Sequence, residues 1–121
     1  MPVKNFDELH QQHQNWKLDL LKTEKEIKAL QDELTDLSPK ASSTDQRIQV
    51  EHLQNALIRQ KVVVNDKLQE ITKIDKLMSE EGANSEALLK LDHLQQEDME
   101  QFDRLFSELR KEFKTFRQSL G

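Results

Sequence analysis

The sequence contains no cysteine and no tyrosine, and only two glycines and two prolines in 121 residues. Without cysteine there are no disulfides and no thiol chemistry, which fits a reducing compartment. The scarcity of glycine and proline removes the turn chemistry that a sheet protein needs, and also any glycine-rich phosphate loop. No stretch approaches the roughly 18 uninterrupted apolar residues of a membrane span. Met1 to Asn5 lack the apolar region of a signal peptide, so a cytoplasmic location is expected. There is no excess of positive charge either. The net charge is −5, with both signs mixed throughout, and no nucleic-acid or membrane partner is expected.

What the chain has is charge and regular apolar spacing. Charged residues make up 34% and hydrophobic residues 35%, a mixture that reads as long helices once a period is found in it. Alternate steps of three and four from Phe6 pass through Leu9, His13, Trp16, Leu20, Thr23, Ile27, Leu30, Leu34 and Leu37, the 3.5-residue repeat of a coiled-coil seam. Asn5 and Glu8 form a capping box at its start, and Ser38-Pro39 ends it, because the residue before proline is pushed out of the α region.

A polar loop from Ser38 to Thr44 follows, and Ser43 with Gln46 offers a second capping box. Val50, Leu57, Val64, Ile71 and Met78 then recur every seven residues, flanked by Leu53, Leu68 and Ile74. The run Val62-Val63-Val64 has strand propensity but lies inside this helical period, which prevails. Gly82 is placed for a left-handed C-terminal cap. The third seam is Leu88, Asp92, Gln95, Met99, Phe102, Phe106, Leu109, Phe113, Phe116 and Leu120. It is polar at Asp92 and Gln95 while Leu91 and Leu94 lie beside them, so a shift of the buried face near Gln95 is expected.

The expected fold is therefore all-α: one domain over residues 1–121, with helices at about 5–37, 45–81 and 85–120. Two short turns favour antiparallel neighbours, giving an up-down-up three-helix bundle with coiled-coil-like heptad packing. An open hairpin completed by a second copy of the chain is the rival arrangement.

Four histidines, His10, His13, His52 and His93, are the first candidates for chemistry. Reflection through the two turns sets a residue of the third helix level with one about 83 earlier in the first. His93 then lies near His10 and His13, with Glu70 and Asp75 of the second helix close by, and bundle metal sites are built from such groups. Only His13 occupies a seam position, however, and no Glu-x-x-His pair of the di-iron type occurs. The competing reading is a partly buried His13 with a satisfied hydrogen bond and surface histidines elsewhere.

Trp16 reads as a core anchor. The stripe Phe102, Phe106, Phe113 and Phe116 reads as core too, unless exposed, in which case it becomes with Arg110 a candidate interaction surface. The third helix ends basic, with Arg104, Arg110, Lys111, Lys114 and Arg117, level with Asp32, Glu33 and Asp36 of the first. No nucleophile elbow is present. The expected protein is a non-enzymatic bundle without a cofactor that binds a protein partner or a second copy of itself. The alternative is a small metal- or ligand-binding bundle.

Three stretches carry a resemblance: Leu9-His10-Gln11-Gln12-His13-Gln14-Asn15-Trp16, Val50-Glu51-His52-Leu53-Gln54-Asn55 with Gln60-Lys61, and Phe102 through Phe116 containing Leu109-Arg110-Lys111-Glu112-Phe113. In order and spacing the chain resembles a group of short helical proteins from Bacteroidetes-type bacteria. The resemblance implies a bacterial, cytosolic protein and no particular activity, and it directs attention to His10, His13, Trp16, His52 and Arg110. An early seam tryptophan is also similar to spectrin-type three-helix repeats, a likeness of architecture.

Overall fold

The computed structural model describes residues 6–81 and 85–120, and these form three long helices with no strand among the described residues. Helix α1 spans Phe6–Leu37, α2 spans Thr44–Glu81 and α3 spans Glu86–Ser119. A 3-10 turn, Ser38–Lys40, occupies the first part of the expected loop, with Pro39 inside it. No helix among the described residues is long and apolar enough to cross a membrane.

The sequence sets the helix boundaries through side-chain caps. At the start of α2 the Gln46 amide N–H donates to Ser43 Oγ (3.1 Å), and the Ser43 amide N–H donates back to Gln46 Oε1 (3.2 Å). Ser85 caps α3 by accepting from the Leu88 amide. The expected caps at Asn5 and Gly82 lie outside the described residues.

The seams read from the sequence are the buried faces. In α1 the side chains of Leu9, His13, Leu20, Ile27 and Leu34 are buried, with Trp16, Leu30 and Leu37 half-buried beside them. In α3 all nine positions from Leu88 to Phe116 along the seam are buried. The expected shift of that face near Gln95 does not occur. Asp92 and Gln95 are 6% and 9% exposed, whereas Leu91 and Leu94 are 43% and 54% exposed. Each member of the polar pair finds a hydrogen-bond partner on a neighbouring helix, Asp92 on His13 and Gln95 on Glu70.

This choice divides the core. Sixteen buried residues, from Leu20 and Ala41 to Ile71 and Phe116, form one apolar cluster. Leu9, Ile74, Met78 and Leu88 form a second, with Phe6, Leu77 and Leu89 packed against it. Between the two lie His13, Asp75, Asp92 and Gln95. The four phenylalanines Phe102, Phe106, Phe113 and Phe116 all belong to the larger cluster, so the stripe is core, and the exposure that would have made it an interaction surface is not there. Their spacing of four, seven and three residues keeps them on the same inward face of α3, where burying each ring removes a large apolar area from water.

Arginines at the margin of α3 tie it to α1. Arg110 donates to both oxygens of Glu26 (2.5 and 2.9 Å), and Arg117 makes the same fork with Glu33. Both pairs are separated by 84 residues, close to the offset expected from the sequence. The Arg110 guanidinium lies over the Phe106 ring and that of Arg117 over Phe113, so each cation also covers one edge of the apolar cluster.

Candidate functional site

The most unusual residue in the core is His13, which is 1% exposed. It stands in the α1 seam, where the heptad spacing would ordinarily place an aliphatic side chain. Its Nδ1 lies 2.7 Å from Asp75 Oδ1 of α2, and its Nε2 lies 2.5 Å from Asp92 Oδ1 of α3. An ionised carboxylate only accepts hydrogen bonds, so the two bonds together call for a proton on each ring nitrogen. With both carboxylates ionised, His13 is an imidazolium clamped between them, with one member of the trio contributed by each helix.

The electrostatics agree with the geometry. Burial opposes charge on the His13 ring, but the bonds to Asp92 and Asp75 outweigh it and hold the ring above the ordinary imidazole range. Burial likewise pushes the Asp75 carboxyl up, yet its bonds to His13 and His10 bring it below the usual carboxylate range. His10 reaches the same carboxylate from one turn earlier in α1, with Nδ1 at 3.0 and 2.9 Å from the two oxygens of Asp75. Its side chain is 45% exposed. The four groups therefore form a hydrogen-bonded row, Asp92–His13–Asp75–His10, running from the buried face of α3 to the surface between α1 and α2. Trp16 packs against His13 with ring centroids 5.5 Å apart, and Phe6 stands 5.6 Å from His10.

Gln95 extends the layer on the other side. Its Nε2 donates to Glu70 Oε2 (2.8 Å), while its buried Oε1 has no partner. The outer wall here is an apolar cleft of about 350 Å³ between α2 and α3, lined by Ile74, Leu77, Leu91 and Leu94 among others.

Of the residues singled out from the sequence, His10, His13 and Asp75 come together. Glu70 pairs with Gln95 instead. His93 lies on the outer side of α3, beside Glu97 one turn on (3.2 Å), and does not join the histidine level. A residue of the third helix can share a level with His13 and still face away from it. His52 meets Glu112 of α3 (3.1 Å) on the surface. Asp92, the closest partner of His13, was seen in the sequence only as an interruption of a seam. The available signal was coincidence: a polar seam residue in α1 and two in α3 fall at one level, where each can satisfy another.

Chemically the row holds protons and little else. Both nitrogens of His13 are committed to carboxylates, which leaves no lone pair for a metal ion. Among the described residues no group of three or more His, Asp or Glu side chains is placed to hold one. Compared with family models, with curated proteins and with solved structures, the chain finds no match in any of the three.

Proposed function

We propose that this chain is a non-enzymatic helical interaction module, an up-down-up antiparallel bundle with heptad packing whose outer faces bind a protein partner or a second copy of itself. The observation that carries this reading is the set of large apolar side chains left outside a core that is already filled. Leu18, Leu21, Ile48, Ile58, Val62, Leu91, Leu94 and Leu105 are all more than two-fifths exposed, although the seam positions already supply the apolar face of each helix. On α3, Leu91, Leu94 and Leu105 border the clefts that run between it and α2. Exposed apolar groups bordering a cleft, as these three do, are a feature of association surfaces.

The bundle topology is supported by the repeated 84-residue offset of the Arg110–Glu26 and Arg117–Glu33 pairs, which a parallel α1 and α3 would produce. A reducing, cytoplasmic setting accords with the lack of cysteine. The alternative, metal binding at His10, His13 and His93, has less behind it, since His93 faces outward and His13 is saturated.

Light scattering coupled to size exclusion tests the module directly. A mass that rises with concentration above 14.3 kDa, and returns to it in a Leu94→Glu/Leu105→Glu variant, is the expected result for self-association. A strictly monomeric wild type that also recovers no partner from a lysate in a cross-linking experiment would remove the basis for the reading.

A further inference from the structure

The buried row of histidines and carboxylates sits where the core is divided, and the two sides of the division are very unequal. On one side are sixteen buried residues. On the other are four, Leu9, Ile74, Met78 and Leu88, contributed by the start of α1, the end of α2 and the start of α3. Among the described residues this smaller cluster has those four buried members, with Phe6, Leu77 and Leu89 packed against them, to keep three helix ends together. Besides that burial, the described interaction that joins all three helices there is the clamp of His13 on Asp75 and Asp92.

We propose that His13 is a proton-operated latch: with its ring doubly protonated the three helix ends are tied together, and loss of one ring proton releases this end of the molecule while the larger cluster stays folded. When the imidazolium gives up a proton to solvent, one ring nitrogen becomes a lone pair. That lone pair then faces a carboxylate oxygen at hydrogen-bond distance, and attraction turns to repulsion at one of the two contacts. Asp92, itself buried, is left without a cation. A buried carboxylate in that state regains its solvation by opening the structure around it.

The charged surroundings favour a local event. From α1 the groups near the latch are His13 itself and His10. From α2 comes Asp75, and Glu70 is held on Gln95. From α3 comes Asp92. Lys73 borders the neighbouring cleft. His10 shares Asp75 and is half-exposed, which gives the proton a hydrogen-bonded path to the surface. Opening would uncover Leu9, Ile74, Met78 and Leu88 beside the already exposed Leu91 and Leu94, so protonation state and apolar surface are coupled at this end. Local units of this kind open well below the cost of global unfolding.

The test is amide hydrogen exchange on the full-length chain across a pH series, corrected for the intrinsic hydroxide dependence, with the His13 ring followed by NMR in parallel. Segments 6–13, 74–81 and 86–92 are expected to lose protection together as the His13 ring titrates. Segments 50–64 and 102–113 are expected to keep theirs. Each unit by which the closed form raises the ring pKa over the open form is worth about tenfold in the opening equilibrium. Asp92→Asn removes the charge and offers an amide that accepts from a protonated ring or donates to a neutral one, so the His13 titration is expected to move to lower pH and no longer to open this end. Protection at this end that ignores the His13 titration would overturn the latch, as would loss of protection in all segments at once. So would an Asp92→Asn chain that folds but opens at the wild-type pH. The wild-type series decides the matter even if the variant does not fold.

Discussion

Replacing His13 with leucine is a severe test of the buried layer, because leucine fits a heptad seam well and by pattern alone should stabilise the bundle. The surroundings give the opposite expectation. Removing the ring leaves Asp92, 6% exposed, facing an aliphatic group with no cation to balance it. Asp75 suffers less, since it keeps His10 and its side chain is 14% exposed. Breaking a buried ion pair by removing one partner typically costs about 3–5 kcal/mol. For a chain of this size, roughly 4 °C per kcal/mol converts that to a fall of about 12–20 °C in the melting temperature. The double variant His13→Leu/Asp92→Leu removes both charges and fills the layer with apolar volume. Substitutions of that kind are often neutral or stabilising by about 1–4 kcal/mol, so most or all of the loss should return. Urea unfolding followed by far-UV circular dichroism, with Trp16 fluorescence as a second probe beside the site, measures all four corners of the cycle. The expected coupling between the two substitutions is more than about 2 kcal/mol. A His13→Leu chain as stable as wild type would refute the reasoning.

The layer also fixes the pH dependence. His13 is raised in the folded state, so its stabilisation is complete below about pH 6.5, the unfolded value, and is lost as pH rises through the folded value. Asp75 is lowered, so its contribution is complete above about pH 4 and is lost as pH falls through its folded value. Urea midpoints should therefore be highest between about pH 4 and 6.5, and a profile that climbs steadily through neutral pH would contradict the assignment. Phe113→Ala should cost about 3–5 kcal/mol by chemical denaturation, since the ring is fully buried in the larger cluster. Arg110→Ala should cost about 1 kcal/mol or less, because its pair with Glu26 is half-exposed and screened. Ser43→Ala should lower stability by about 1 kcal/mol through loss of the cap on α2, measured in the same way.

The helices were legible in the sequence because their information is local and repeated. A seam residue every three or four positions, Ser43 with Gln46, and proline after Ser38 each act within one turn, and α1, α2 and α3 begin and end within a residue or so of those signals. The Arg117–Glu33 pair followed from arithmetic on the turns. The site was legible only in part. His13 and Asp75 were marked by type and level, yet His93 was drawn in with them, since a level says nothing about which way a side chain faces. Asp92 and Gln95 were harder. Hydrophobic periodicity treats a polar seam residue as an error and looks for an apolar neighbour to replace it, here Leu91 and Leu94. The fold instead kept the polar residues inside, where a carboxylate meets an imidazole and an amide N–H meets a carboxylate. The first pair spans 79 residues and the second 25, each between two helices, and no pattern within one helix contains either.

The protonation state of the His13 ring bears most directly on the whole account. NMR of the ring nitrogens below about pH 6.5 distinguishes a doubly protonated imidazolium from either neutral tautomer without reference to stability or to any partner. The expected result is a His13 ring with protons on both Nδ1 and Nε2, each slow to exchange and each hydrogen-bonded to a carboxylate. A ring carrying a single proton below about pH 6.5 would contradict the clamp between Asp75 and Asp92 and, with it, the latch.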